Sequence, residues 1–250
     1  MSLRNVRILS LVILFGATLV AQADDPAPGK QVEASFTGKE MVNGEEKEFT
    51  IHYLIFLPEG YTKDKKAPLM LFLHGAGERG DKNLPLVKKH GPPKLVESSR
   101  KDFPFITVSP QCPQGTWWKT AQLFALLDDM EKKYAADKDH EYVTGLSMGG
   151  YGSWSMASSQ PKRFAAVIPI CGGGDPNTAK TLVDLPIWVF HGDKDSAVSL
   201  EKSEKMVQAI KDAGGKDVKL TVYPGVGHDS WTETYNNKEV YDWLLAHKKK

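Results

Sequence analysis

The segment Glu141–Tyr151 constrains the fold of this chain more than any other stretch. A short β-prone run ends in Gly145-Leu146-Ser147-Met148-Gly149, here called the Ser147 turn, and a helix-compatible stretch follows it. A direct turn from strand to helix strains the central serine and brings backbone segments very close, so the glycines remove Cβ atoms that would collide. The pattern predicts a serine hydroxyl exposed above a strand end, as a nucleophile requires. The alternative is a Gly/Ser-rich turn without a catalytic role.

Apolar runs and helical patterns alternate along the rest of the chain. Near-continuous apolar runs are typical of parallel strands buried on both faces. Besides the strand that leads into the Ser147 turn, such runs predict strands over Pro68–Leu73, Phe105–Ser109, Phe164–Ile170, Ile187–Phe190 and Val218–Tyr223.

Apolar residues at helical spacing predict helices between these strands. In front of them, two strand candidates flank Asn43-Gly44, a strong hairpin signal. Strands that alternate with helices indicate the α/β class, with a mostly parallel eight-stranded sheet flanked by helices in a single domain, residues 24–250. The predicted helices cover Ala121–Tyr134, Met148–Ser159 and Leu200–Ala213, and a closing helix includes Val240–Leu245.

The N-terminal residues 1–23 have the pattern of a signal peptide. Arg4 and Arg7 precede the mostly apolar run Ile8–Val20, and Ala21-Gln22-Ala23 matches a cleavage site. We therefore expect a secreted or periplasmic protein without stable membrane insertion after cleavage, the alternative being a retained N-terminal anchor. A net charge of +1 gives no basic surface for nucleic acid.

The chain contains two cysteines, Cys112 and Cys171. Two are too few for a structural zinc site, and no other metal-ligand pattern occurs, so we expect neither a metal nor a cofactor. Because both cysteines follow predicted strands in an oxidising compartment, a disulfide between them and two buried thiols remain open alternatives.

A serine hydroxyl needs a base to become a good nucleophile, and the base needs an orienting acid. In a doubly wound sheet that carries its serine on such a turn, the expected chain order is serine, acid, histidine. After Ser147, the acids at a predicted strand end are Asp193 and Asp195, and the histidine that follows them is His228.

Three motifs give the chain a resemblance to the α/β-hydrolase superfamily, namely His74–Glu78, Gly145–Gly150 and His191–Asp195. It resembles small secreted serine esterases, including dienelactone hydrolases, feruloyl esterases and polyhydroxyalkanoate depolymerases, and also prolyl-oligopeptidase-like peptidases. The resemblance covers about residues 49–245. It implies the α/β-hydrolase fold and a serine carboxylic-ester hydrolase.

The resemblance also implies roles for individual residues. The last position of the family's His-Gly-x-x-Asp pattern is the acid, which favours Asp195 over Asp193; Asp229 is a third, weaker candidate. His191 precedes the acid and is interpreted as a structural histidine that fixes its loop.

The motif His74–Glu78 stands where the family has its oxyanion loop, which implies backbone N–H donors at Ala76 and Met148. The alternative is a glycine-rich turn without a catalytic role. We expect Glu78 and Arg79 to form an ion pair that braces this loop.

Three tryptophans on loops near the predicted site, Trp117, Trp118 and Trp231, are candidate pocket residues or packing residues. Residues 174–185 leave no room for a lid domain, and an open site suits small soluble or polymer-linked esters. The resemblance implies feruloyl, acetyl or aryl esters as the substrates. The alternatives are a prolyl-oligopeptidase-like serine peptidase and a non-catalytic binding protein on the same fold.

Overall fold

The computed structural model describes residues 26–98 and 102–249. The predicted signal peptide lies outside these residues. The strands form one eight-stranded sheet in the order β1-β2-β4-β3-β5-β6-β7-β8. Their bounds are β1 Gln31–Val42, β2 Glu45–Phe56, β3 Ala67–Leu73, β4 Ile106–Pro110, β5 Ala136–Leu146, β6 Ala166–Ile170, β7 Ile187–Gly192 and β8 Val218–Tyr223.

Helices and short 3₁₀ segments connect the strands. The α-helices are α1 Gly91–Ser98, α2 Thr120–Lys133, α3 Met148–Ser159, α4 Glu201–Asp212, α5 Trp231–Asn236 and α6 Lys238–Leu245. The 3₁₀ segments are Ala76–Glu78, Leu84–Lys89 and Pro176–Leu182. None of the helices in the described ranges is long and apolar enough to cross a membrane.

The sheet is antiparallel at one edge and parallel elsewhere. β1 and β2 pair as the predicted hairpin, in which Asn43 and Gly44 take the positive φ values of 55° and 83°. β2 joins β4 in antiparallel fashion, and the strands from β4 through β3 to β8 run parallel. The predicted mostly parallel, eight-stranded sheet flanked by helices is confirmed, and the 3₁₀ segment Pro176–Leu182 stands between β6 and β7, where the sequence left no room for a lid domain.

The central strands are buried on both faces. In β3, Leu69, Leu71 and Leu73 belong to one apolar cluster, whereas Met70 and Phe72 belong to another. Because successive strand residues point to opposite faces, the two clusters lie on the two sides of the sheet. This explains why the strand sequences are continuous apolar runs, and it places all parallel strand ends at one edge.

Two short helices, α1 and α5, were not predicted from the sequence. Gly91-Pro92-Pro93 begins α1, because proline fits the first helical turn, where its missing N–H is not needed. The short helix α5 was not predicted, since six residues carry too little periodicity to be recognised.

Cys112 and Cys171 are free, buried thiols. Cys112 follows β4 and Cys171 follows β6, and two strands, β3 and β5, lie between β4 and β6 in the sheet. Of the two alternatives, the structure therefore has the thiols and not the disulfide.

A buried ionic cluster joins α2 to β5. Its centre is Arg163, in the loop between α3 and β6. The Arg163 guanidinium donates through Nε to both carboxylate oxygens of Glu141, at 3.0 and 3.2 Å, and through Nη2 to Glu131 at 2.8 Å. The Glu141 side chain is 1% exposed. Burial raises the pKa of Glu141 to about 7, although Arg163 opposes the rise. The ionised form of the Glu141 carboxylate is therefore stabilised by Arg163.

Replacing Arg163 with methionine should lower the free energy of unfolding by about 3–5 kcal/mol, because a buried carboxylate would lose its partner. Urea denaturation at neutral pH measures the change. Lys238→Met is the matched control: Lys238 pairs with Asp242 on the surface, where the two side chains are 75% and 57% exposed. Its effect should stay below about 1 kcal/mol. Equal effects of the two substitutions would contradict the role of the cluster.

Candidate active site

Ser147 stands between the end of β5 and the start of α3. Its φ of 52° and ψ of −116° are strained for a residue with a side chain. A Cβ added to Gly149 would overlap the carbonyl oxygen of Leu73, and one added to Gly145 would overlap that of Gly149. The backbone contact thus requires both glycines, and it holds the strained serine in place.

His228, which follows β8, connects the serine to an acid. Its Nε2 lies 2.9 Å from Ser147 Oγ, and its Nδ1 lies 2.7 Å from Asp195 Oδ2. The His228 side chain is 26% exposed, whereas that of Asp195 is inaccessible to solvent. The structure therefore brings together the serine, the histidine and one of the three candidate acids.

Asp195 is fixed by backbone donors as well as by His228. Its Oδ1 accepts hydrogen bonds from the N–H groups of Ala197 and Val198, at 2.9 and 2.8 Å. Burial by itself would raise the pKa of Asp195, but the hydrogen bonds from His228, Val198 and Ala197 outweigh it and hold the pKa below its usual value. The carboxylate is therefore ionised at neutral pH.

His191 supports the same carboxylate from the other side. Its Nε2 lies 2.8 Å from the Val198 carbonyl oxygen and 3.1 Å from Asp195 Oδ2. Since a carbonyl only accepts, Nε2 carries the proton, and Nδ1 faces the Ser203 hydroxyl at 2.7 Å. The histidine fixes the acid's loop, as its place in the motif predicted.

The other two candidate acids accept hydrogen bonds from other groups. Asp193 Oδ1 accepts from the N–H of Gly225, in the loop after β8, at 2.7 Å. The Asp229 carboxylate accepts from the N–H and the hydroxyl of Thr232, both at 3.0 Å. Neither is paired with the His228 ring.

The two predicted oxyanion donors both begin helical segments. Ala76 is the first residue of the 3₁₀ segment after β3, and Met148 is the first residue of α3. The first N–H groups of a helix have no acceptor within it, and they lie at its positive end. Both groups are thus suited to receive a negative oxygen.

His74 opens the motif His74–Glu78, and its ring, to which the sequence analysis gave no role of its own, holds the predicted oxyanion loop in place. Its Nε2 accepts the Cys112 N–H at 2.9 Å, so Nδ1 carries the proton and donates to the Gly75 carbonyl at 2.6 Å. Burial lowers the pKa of His74 to about 4, which keeps the ring neutral. The only sequence signal for this role is a histidine placed directly after a buried strand.

The prediction of an ion pair between Glu78 and Arg79 is wrong. Arg79 instead donates to carbonyl oxygens, from Nε to Ala76 at 3.0 Å and from Nη1 to Thr116 at 3.1 Å. Glu78 Oε1 faces His90 Nε2 at 3.7 Å. Arg79 therefore joins the loop after β3, which is the predicted oxyanion loop, to the loop after β4.

The three candidate tryptophans occupy different positions. Trp118 packs on the His74 ring and donates its Nε1–H to the His74 carbonyl at 3.3 Å. Trp117 is 62% exposed, and its ring forms a T-shaped pair with the Tyr151 ring, with the centroids 6.0 Å apart. Trp231 lies on His228, with ring centroids 5.2 Å apart.

Two cavities flank the loop that carries Trp117 and Trp118. A groove of about 570 Å³ runs beside α3 and is lined by both indoles, Tyr151 and the hydroxyls of several serines. A smaller cavity of about 150 Å³ on the other side of the loop is lined by both indoles and by Cys112. The lining of the groove includes Tyr151 and Gly152, four and five residues beyond Ser147, but not Ser147 or His228.

This geometry is suited to acyl transfer. A hydroxyl bonded to a histidine, which is oriented by an ionised carboxylate, can attack a carbonyl carbon. Donors at two helix starts can stabilise the oxyanion that forms.

Comparisons with known proteins agree with this geometry. The model of the dienelactone hydrolase family matches residues 52–244. An Aspergillus niger protein named "Probable feruloyl esterase C" is 24% identical over 236 residues, which cover 92% of this chain and 84% of the relative. The protein of the same name from Aspergillus terreus is 28% identical over 172 residues, or 67% of this chain. The match spans only 60% of that relative's length.

Among solved structures, one described as a thermostable esterase superposes with a TM-score of 0.71 and 34% identity. It covers 86% of this chain, and the match covers 63% of the other chain. The fold is that of the α/β-hydrolases. The chain belongs to the dienelactone hydrolase family, and it is a carboxylic ester hydrolase.

Replacing Asp195 with asparagine should lower turnover on the order of 10⁴-fold, because the amide would favour the wrong histidine tautomer. Asp193→Asn is the matched control in the same loop and should retain most activity, since Asp193 only bonds Gly225. Steady-state kinetics on a soluble aryl ester measure both variants. A larger loss in Asp193→Asn would show that the other carboxylate orients His228.

Proposed function

We propose that the chain is a serine esterase that acts through an acyl-enzyme on Ser147, with His228 as general base and Asp195 as its orienting acid. One observation carries the proposal: an unbroken hydrogen-bonded series runs from Ser147 Oγ through the His228 ring to the buried Asp195 carboxylate. The strained backbone of Ser147 supports it, because such strain is concentrated at functional residues.

In the first step, Ser147 Oγ attacks the ester carbonyl carbon while His228 Nε2 takes the hydroxyl proton. The carbonyl oxygen becomes an oxyanion, which the N–H groups of Ala76 and Met148 stabilise. Removing one such donor typically costs about 3–4 kcal/mol of barrier. Asp195 stabilises the imidazolium that forms, because it stays ionised beside it.

In the second step, His228 Nε2 returns the proton to the leaving alcohol and the acyl-enzyme is left on Ser147. A water molecule then gives its proton to His228 and attacks the acyl carbon. Collapse of the second intermediate releases the acid and restores the Ser147 hydroxyl.

The substrate class that we propose is an aryl, feruloyl or acetyl ester, free or linked to a polymer. The groove beside α3 is open, and the exposed Trp117 indole at its rim offers a flat apolar face to a ring. The feruloyl esterase relatives support this class. Trp118 and Trp231 contribute by packing on the histidines of the site.

The remaining part of the proposal concerns location. The signal-peptide pattern of residues 1–23 supports export, with residues 24–250 as the mature catalytic domain outside the cytoplasm. Cleavage after residue 23, detected by mass spectrometry of the mature protein, tests this.

Ser147→Ala should lower esterase turnover on the order of 10⁶-fold and abolish labelling by a fluorophosphonate, because the nucleophile is lost. Circular dichroism should remain native, since the substitution removes only one oxygen. Assays with feruloyl, acetyl-xylan, aryl and peptide substrates separate an esterase from a peptidase. Labelling of a folded Ser147→Ala protein would refute the assignment, and absence of labelling in the native protein would favour a binding protein.

Trp117→Ala should lower kcat/KM for a polymer-linked feruloyl ester by roughly three- to tenfold, the loss expected for one aromatic contact. A small alkyl acetate is the control substrate, since it carries no aromatic ring. Equal losses on both substrates would show that Trp117 acts on the site as a whole and not on a bound ring.

A further inference from the structure

A third loop brings a thiol to the proposed active site. Donor atoms of Cys171, Asp195 and His228 all lie within 4.8 Å of one another. The three residues follow β6, β7 and β8, whose parallel ends meet at this edge of the sheet. The hydrolytic steps use the carboxylate and the imidazole, but they give no role to the sulfur.

The backbone holds the sulfur in this position. Cys171 has a φ of 39°, in the left-handed region that residues with a side chain rarely adopt. Its N–H donates to the Phe190 carbonyl at 2.9 Å, and the next residue, Gly172, packs against the Gly150 backbone. The Cys171 side chain is fully buried. Its direction is thus imposed by the sheet end and α3.

A buried hydroxyl lies beside the sulfur. The Ser230 side chain is fully buried and interacts with the Cys171 sulfur, but its hydroxyl makes no hydrogen bond of good geometry within the described residues. Buried hydroxyls are normally paired, because leaving one unpaired costs about 1–3 kcal/mol. The Ser230 oxygen is therefore a further potential ligand next to Cys171.

We propose that Cys171, Asp195 and His228 form an inhibitory binding site for thiophilic divalent cations such as Zn²⁺. One thiolate, one imidazole and one carboxylate are a ligand set that Zn²⁺ accepts, with a fourth position left for water or the Ser230 oxygen. The cation is an inhibitor in this proposal and takes no part in hydrolysis. It reaches the site past the partly exposed His228 ring.

Binding exchanges one proton for the cation. The Cys171 S–H bond breaks, a sulfur–metal bond forms, and the proton passes to solvent. A ring nitrogen of His228 donates its lone pair to the metal, so the imidazole no longer accepts the Ser147 proton. Inhibition follows from the loss of the base.

Cadmium titration of the Ser147→Ala protein tests binding without any activity readout. Cd²⁺ should bind one to one and produce the ultraviolet sulfur-to-cadmium charge-transfer band. Cys171→Ser should remove the band, whereas Cys112→Ser, the matched control with another buried thiol, should keep it. If Cys171→Ser does not fold, Asp195→Asn provides the second variant and should weaken Cd²⁺ binding at least about tenfold.

Zn²⁺ inhibition of the native enzyme is the second measurement, and only this part rests on the proposed function. Inhibition should weaken at least about tenfold in Cys171→Ser. Absence of the cadmium band in Ser147→Ala, or its loss in Cys112→Ser, would overturn the site. A cadmium band combined with an uninhibited native enzyme would overturn the inhibitory role alone.

Discussion

The contact between the first turn of α3 and the ends of β3 and β5 leaves no space for a side chain. Gly149 lies directly against the carbonyl group of Leu73, and Gly145 lies against the carbonyl group of Gly149. This approach fixes the direction of Ser147 Oγ and the position of the Met148 N–H by backbone atoms alone. Backbone contacts allow little adjustment, so the strain at Ser147 cannot relax without separating helix from sheet. Every other element of the site is positioned relative to this contact.

Asp195 is the second fixed point, and it lies between two histidines with different roles. His228 is partly exposed and can exchange a proton with a substrate, whereas His191 is buried and bonded on both ring nitrogens. The two backbone donors at Ala197 and Val198 leave the carboxylate only one orientation. The same hydrogen bonds that keep its pKa low thus also aim it at the base.

The sequence predicted those features that depend on local pattern. Continuous apolar runs placed the parallel strands, and the two glycines placed Ser147, because these signals come from neighbours along the chain. The choice between Asp193 and Asp195 needed the family resemblance, since both follow the same strand and only the turn between them decides which reaches His228. The bonds of His74 and the partners of Arg79 were not predictable, because Cys112 and Thr116 approach them only after folding.

The features that suit this site to hydrolysis also expose it to metal ions. An ionised carboxylate and a neutral imidazole are both good ligands, and the parallel strand ends add a thiol to them. Two properties oppose binding: four N–H donors already surround Asp195, and the Cys171 thiol holds its proton. Oxygen-seeking cations such as Mg²⁺ gain nothing from sulfur, so the satisfied carboxylate excludes them. Only a cation that gains enough from the thiolate to displace both a proton and a hydrogen bond can compete.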